Sequence, residues 1–322
     1  MRRTAGYQQV GWLGLTVQVP SEWDLVVARG NRFDGYLRFD EEAFTRCHIQ
    51  WTLVSAGKVV LDDQLDRYLE AFERQLKKKG QPVTIRKNTG LVSRKDVGRN
   101  VRTFFWECGT VGYGLLWFCQ DCRRAVLTQV YGYAHEDLKG TAKRIFLSLS
   151  DHQEGDWERW SLYDLSFDAP VGWDLTDSQI QPGKVRFHFR KGPWRITLER
   201  WGPASVLLGP EDNLETFVVK VLPQDIKNRF LLHCRSDDFK EHPSLHLKGS
   251  DKGAKRPLSV WWRQLTSGQP FPNFLGWLWV CPVSNRIYFV SGILPPAEEL
   301  VLDHIARSVS CHPEERTDAC GR

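Results

Sequence analysis

The sequence predicts an α+β protein built from two similar units in tandem, each an antiparallel sheet packed with helices, the pair related as a pseudo-dimer. Three observations carry that expectation: landmarks recur in the same order along the chain, strand-like alternation fills the segments between them, and each half holds stretches with the apolar spacing of an amphipathic helix. "LTVQVPSEWDL" (Leu15–Leu25) returns as "LSFDAPVGWDL" (Leu165–Leu175) at an offset of 150. "WFC" (Trp117–Cys119) returns as "WVC" (Trp279–Cys281) at 162, and "AKRIFLSLS", ending at Ser150, as "LDHIARSVS", ending at Ser310, at 160. A chain of 322 residues has the length for two such domains. The units are therefore read as 1–153 and 154–322, with the polar stretch Asp151–Trp160 as a short linker.

Each unit opens on a strand. Leu15, Val17 and Val19 alternate with polar residues, as do Leu165, Phe167 and Ala169, and Pro20 and Pro170 close the runs because proline has no N–H for a ladder. "YLRFD" and "CHIQWTLV" continue the first sheet, and "VRFHFR" and "WRITLERW" the second. A helix follows in "LDDQLDRYLEAFERQLKKKG", where Leu61, Leu65, Tyr68, Leu69, Phe72 and Leu76 make one stripe. Asp62 and Asp63 suit its N-terminus, Lys77–Lys79 its C-terminus, and Gly80 its end. The second unit offers "PEDNLETFVVKVLP", with Leu214, Phe217, Val218 and Val221 in a stripe that Pro223 stops. More strands come next. Closing helices carry Leu138, Ala142, Ile145 and Leu149 in one unit, and Leu302, Ile305, Ala306 and Val309 in the other.

The opening pattern "VPSEWDL", "GYLRFD", "IQW" and "YLEAFERQLKK" resembles the Mog1/PsbP-like families, over about residues 9–152 and again over 158–312. The resemblance implies an α/β sandwich and an accessory or binding role, as in photosystem subunits, a small-GTPase-binding protein and lipoproteins. Those families share no active site, so no functional residue carries over.

Composition narrows the classes. Hydrophobic residues at 41% and charged ones at 26% are those of a soluble globular protein, and a net charge of +5 falls short of a nucleic-acid footprint. No apolar core of a signal peptide follows the basic N-terminus and no run reaches membrane-spanning length, so the expectation is a cytoplasmic protein without membrane contact, its eight cysteines reduced. Signatures of nucleophile elbows, phosphate loops, dinucleotide folds and zinc proteases are missing, which removes the commonest enzyme classes.

The stretch "WFCQDCRR" sets Cys119 and Cys122 at the spacing of half a zinc site, on what reads as a hairpin tip. Tetrahedral zinc needs four ligands, and a second Cys-x-x-Cys does not follow. Cys47-His48, Cys108, His233-Cys234, His242, His246, Cys311-His312 and Cys320 are scattered, and the second unit writes the turn with Cys281 and Ser284. The reading is an ordinary turn, with no metal and no cofactor, Cys119 and Cys122 being the weak candidates. His242, His246 and Asp237 form the densest polar cluster, a possible hydrolase or metal site set against a solvated loop.

The function expected is partner binding: a non-catalytic scaffold or accessory protein with a protein partner. The inserted aromatic-rich loop of the second unit supplies the contact, through Trp261, Trp262, Phe271, Phe274 and Trp277 with Lys255 and Arg256. Trp262 and Trp277 have a second reading, as rings filling the core beneath the loop. The basic, tryptophan-rich character of the loop also admits a nucleic-acid-associated role.

Overall fold

The computed structural model describes residues 6–54, 59–209, 213–252 and 272–312. The chain divides into two compact units, Met1–Tyr163 and Asp164–Arg322.

In the first unit, β1 (Tyr7–Trp12) and β2 (Leu15–Pro20) form a hairpin, and β10 (Trp157–Leu162) pairs with β1 on its other side. The polar stretch read as a linker thus turns into a strand, stapled by Trp12 and Trp160, whose rings meet edge to face at 5.0 Å. A seven-stranded antiparallel sheet comprises β3 (Asp24–Gly30), β4 (Asp34–Glu41), β5 (Phe44–Leu53), β6 (Thr84–Lys87), β7 (Asn100–Glu107), β8 (Thr110–Phe118) and β9 (Arg124–Tyr133), in the order β3-β4-β5-β9-β8-β7-β6. Helix α1 (Leu61–Lys78) buries Leu61, Leu65 and Leu69 against Phe104, Trp106 and Leu116 of that sheet. Short α2 (Arg94–Val97) and closing α3 (Lys139–Ser148) complete the unit.

The second unit repeats the plan. After β11 (Leu165–Pro170) come β12 (Asp174–Gln181), β13 (Lys184–Lys191) and β14 (Trp194–Trp201). Three short helices follow, α4 (Ala204–Leu207), α5 (Leu214–Val221) and α6 (Gln224–Arg229), then β15 (Phe230–Phe239), β16 (His242–Asp251), β17 (Asn273–Cys281), β18 (Arg286–Leu294) and α7 (Glu299–Ser308). The order β12-β13-β14-β18-β17-β16-β15 matches the first sheet position for position.

The α+β expectation needs correction. Strands take 51% of the described residues and helices 22%, in three antiparallel sheets of four to seven strands rather than a helix-packed sandwich. Two physical reasons stand out. The second middle helix is only eight residues long before the chain breaks at Leu222-Pro223, since proline cannot continue it. The stretch "HCRSDDFKEHPSLH" is no loop: it runs down β15, turns through the left-handed residues Lys240 and Glu241, and returns along β16.

Both central hairpins hold a glycine at one place. Gly114 on β8 lies opposite Phe104 of β7, and Gly276 on β17 opposite Leu247 of β16. A Cβ on Gly114 would overlap the Phe104 ring, which is fully buried. On Gly276 it would stand 2.9 Å from Phe289. Gly114→Ala is expected to cost about 1–3 kcal/mol through overpacking. Urea denaturation checks this, and an unchanged midpoint contradicts it.

Candidate metal centres

The thiols of "WFCQDCRR" do sit on a hairpin tip. The Cys119 N–H donates to the Arg124 carbonyl at 2.9 Å, closing β8 onto β9, and Arg123 takes a φ of +58° to complete the turn. In the second unit Cys281 ends β17, and the turn through Pro282–Asn285 brings Arg286 opposite it. The closing helices then bring the chain back. After α3, Ser150 makes an antiparallel bridge to Thr16 of β2, its N–H and carbonyl both bonded at 2.8 and 2.9 Å. After α7, Ser310 bridges Ser166 of β11 in the same way. The Ser150 and Ser310 hydroxyls donate to the carbonyls of His152 and His312, at 2.6 and 3.3 Å, curling the next two residues over the hairpin tip.

The result is a four-donor cluster in each unit, each with ligand atoms within 4.8 Å of one another: His242, Cys281, Cys311 and His312 in the second, Cys119, Cys122, Asp151 and His152 in the first. In the second, His242 Nε2 lies 3.2 Å from Cys311 Sγ, and His312 Nδ1 lies 3.3 Å from both Cys281 Sγ and Cys311 Sγ. In the first, Cys122 Sγ lies 3.2 Å from Asp151 Oδ2, His152 Nδ1 3.2 Å from Asp151 Oδ1, and Cys119 Sγ 3.7 Å from His152 Nδ1. A zinc tetrahedron with bonds of about 2.0–2.3 Å sets its donors about 3.3–3.8 Å apart. The closest donor pairs of both clusters fall near that spacing, and all the donors of each lie within 4.8 Å of one another.

The ligand sets differ by an exchange of places. One step beyond the Asn100–Phe118 pair, the β7–β8 register sets Arg99 opposite Cys119. Two steps beyond Ser244–Trp279, the β16–β17 register sets His242 opposite Cys281. His242 of the second unit is thus Arg99 in the first, Ser284 is Cys122, and Cys311 is Asp151. Arg99 Nη1 pairs with Asp151 Oδ1 at 2.5 Å, and its guanidinium lies over the Trp117 ring at 4.9 Å. The charges balance in both. Two thiolates neutralise a divalent cation beside two neutral imidazoles, while the added Asp151 carboxylate is offset by Arg99. Burial pushes the Cys122 thiol up to about 12 and the Cys311 thiol to about 11. A cation bound in either cluster would reverse this for that cluster's thiols, because coordination removes the proton.

The other sequence candidates disperse. His246 stacks on Trp277 at 4.3 Å, while half-buried Asp237 pairs with Arg235 at 2.6 Å. Only His242 of that cluster reaches a donor set. Cys47 lies in the core, and Cys108 and Cys234 stand apart from both metal clusters. Of the expected partner surface, Trp261, Trp262, Phe271, Lys255 and Arg256 lie outside the described residues. Phe274 and Trp277 are corrected: both sit on strand β17, not on a loop. Phe274 packs in the core of the second unit, and Trp277 is buried beside Phe239 with its indole N–H donating to Asp303 at 2.6 Å. Sequence reasoning missed Asp151, His152 and the pairing of Cys311-His312 with His242. Their signal was present as "SLSDH" against "SVSCH", a continuation of the helix-end repeat by two residues.

A second polar feature covers the sheet face under α1. His48 Nε2 lies 3.0 Å from Gln129 Nε2, His48 Nδ1 lies 2.9 Å from the Tyr131 hydroxyl, and Gln129 also donates to Tyr68 of α1. Trp106 Nε1 donates to Gln129 Oε1 at 3.2 Å.

No protein-family model matches the chain, and no curated protein matches its sequence.

Burial drives the His48 imidazole down from 6.5 to about 4. The unfolded ring takes a proton near pH 6.5 that the folded ring refuses until about pH 4. Its contribution to stability is therefore full above that window and is lost as the pH falls through it. Between pH 7 and 4.5 the wild type should lose about 1–3 kcal/mol more than His48→Gln. Urea titrations at the two pH values measure the difference, and equal losses contradict the assignment.

Proposed function

We propose that this protein is a zinc-holding, non-catalytic accessory protein that acts by binding a protein partner in the cytoplasm. The observation that carries the metal reading is the recurrence of a four-donor set at the same hairpin tip and helix exit in both units, with different residues filling it. A chance meeting of side chains has no reason to recur through a changed ligand list. Two thiolates with imidazole favour zinc over magnesium or calcium, which prefer oxygen donors. Four protein donors close the coordination sphere, as in structural sites, whereas catalytic zinc keeps a position open.

The cysteines of the described residues are free thiols, which suits a reducing compartment. Among the described residues no helix is long and apolar enough to cross a membrane. Exposed Val206, Leu207 and Val219 on α4 and α5 support a partner-binding role for the second unit.

Protein purified without chelators should carry two zinc ions per chain by mass spectrometry of the native state. Cys122→Ser should carry one, His242→Ala with Cys311→Ser should also carry one, and combining all three substitutions should leave none. Full metal retention in the combined variant, or metal-free wild type after growth and purification in zinc, contradicts the proposal.

A further inference from the structure

The two sheets match strand for strand, so each position on one face has a counterpart on the other. From Cys119 and Cys281 the ladders carry the comparison to Gln129 and Ser291, then across to His48 and Thr197, and on to Arg38 and His188. In the first unit His48, Gln129 and Tyr131 fill the face beneath an 18-residue helix. In the second, the places of those three side chains are taken by the smaller Thr197, Ser291 and Ile293, and the covering helix α5 has only eight residues. The space so released is a cavity of about 460 Å³ in the second unit, bounded by the sheet and by α5 and α6. That volume lies within the range of small-molecule sites, about 300–1,000 Å³.

The lining has a definite chemistry. Phe289, Phe274, Ile293 and Trp201 give it apolar surface. Among the described residues, Lys184, Arg186, Arg195 and Lys220 bring four cations to it, against one lining carboxylate, Glu199. Lys184 lies 3.6 Å from Glu199 and 5.7 Å from the centre of the Trp201 ring. Arg186 and Arg195 pair at 3.2 and 2.5 Å with Asp177 and Asp225, whose side chains are more than half exposed and outside the lining. In the first unit the counterparts of Lys184 and Arg186 are Asp34 and Tyr36, so these two cations belong to the second unit.

We infer that the second unit binds a small organic anion in this cavity, its ring or other apolar body against Phe289 and Trp201 and its acidic group among Lys184, Arg186 and Lys220. A charge-assisted hydrogen bond to such a group is stronger than a neutral one, and the pairing carboxylates at the rim are solvated enough to be displaced. The inference is independent of the metal centres.

The test uses the full-length, metal-loaded protein with two dyes of the same shape: anilinonaphthalene sulfonate, which is anionic, and N-phenylnaphthylamine, which is neutral. The sulfonate should saturate a single site and bind about 10-fold or more tightly than the neutral dye. Thr197→His combined with Ser291→Gln transplants the filling groups of the first unit and should abolish uptake. Lys220→Glu, an exposed change that spares the fold, should weaken the sulfonate about 10-fold and leave the neutral dye and the urea midpoint unchanged. Equal affinity for the two dyes, uptake that survives the double substitution, or insensitivity to Lys220→Glu with the fold intact overturns the inference.

Discussion

Each unit depends on one short antiparallel bridge, Ser150 to Thr16 in the first and Ser310 to Ser166 in the second. A helix end frays unless its carbonyls and the following backbone find partners. Here the partner is β2 in the first unit and β11 in the second, and the bridge directs the next two residues. Those residues are Asp151-His152 and Cys311-His312, which land on the tip of the central hairpin. Helix packing, through Ala142, Ile145 and Phe146 or Leu302, Ile305 and Ala306, sets where the bridge forms. The metal donors are thus assembled by elements that are far apart in sequence and rigid in space, as a coordination site requires.

Much of the scaffold was legible in the residues. The leucine stripe of α1 lies on the core, its acidic first turn and basic last turn sit where the helix dipole favours them, and the Pro-x-x-Trp turns close their strands. The balance of strand to helix was not. Apolar stripes at Leu214–Val221 have helical spacing whatever the length that survives Pro223, and β15 and β16 are rich in charged residues because one hairpin edge and face meet solvent. The metal donors were half visible. Cys119 and Cys122 announce themselves by spacing, but His242 enters its site only through sheet register, and register between β16 and β17 spans a long insertion that periodicity cannot cross. Trp277 illustrates the converse. Its glycine- and proline-rich surroundings resemble a surface loop, yet it begins two strand turns into β17, with its ring covered by Phe239 and His246.

One scaffold has reached two different solutions in each of two places. At the hairpin tip, a turn cysteine in the first unit does what a strand histidine does in the second, and Arg99 restores the charge that Asp151 alters. On the sheet face, a packed imidazole, amide and phenol network occupies the space that the second unit leaves as a basic cavity. The first change preserves the number of donors and their net charge. The second exchanges packed volume for an opening.

The central claim is that both clusters hold zinc through the named donors. Crystals of the full chain measured on either side of the zinc absorption edge test it most directly. The account predicts two anomalous peaks, one bonded to Cys119, Cys122, Asp151 and His152 and the other to His242, Cys281, Cys311 and His312, with zinc–sulfur bonds of about 2.3 Å. A map with no peak at either hairpin tip, from protein expressed and purified with zinc present, would contradict it.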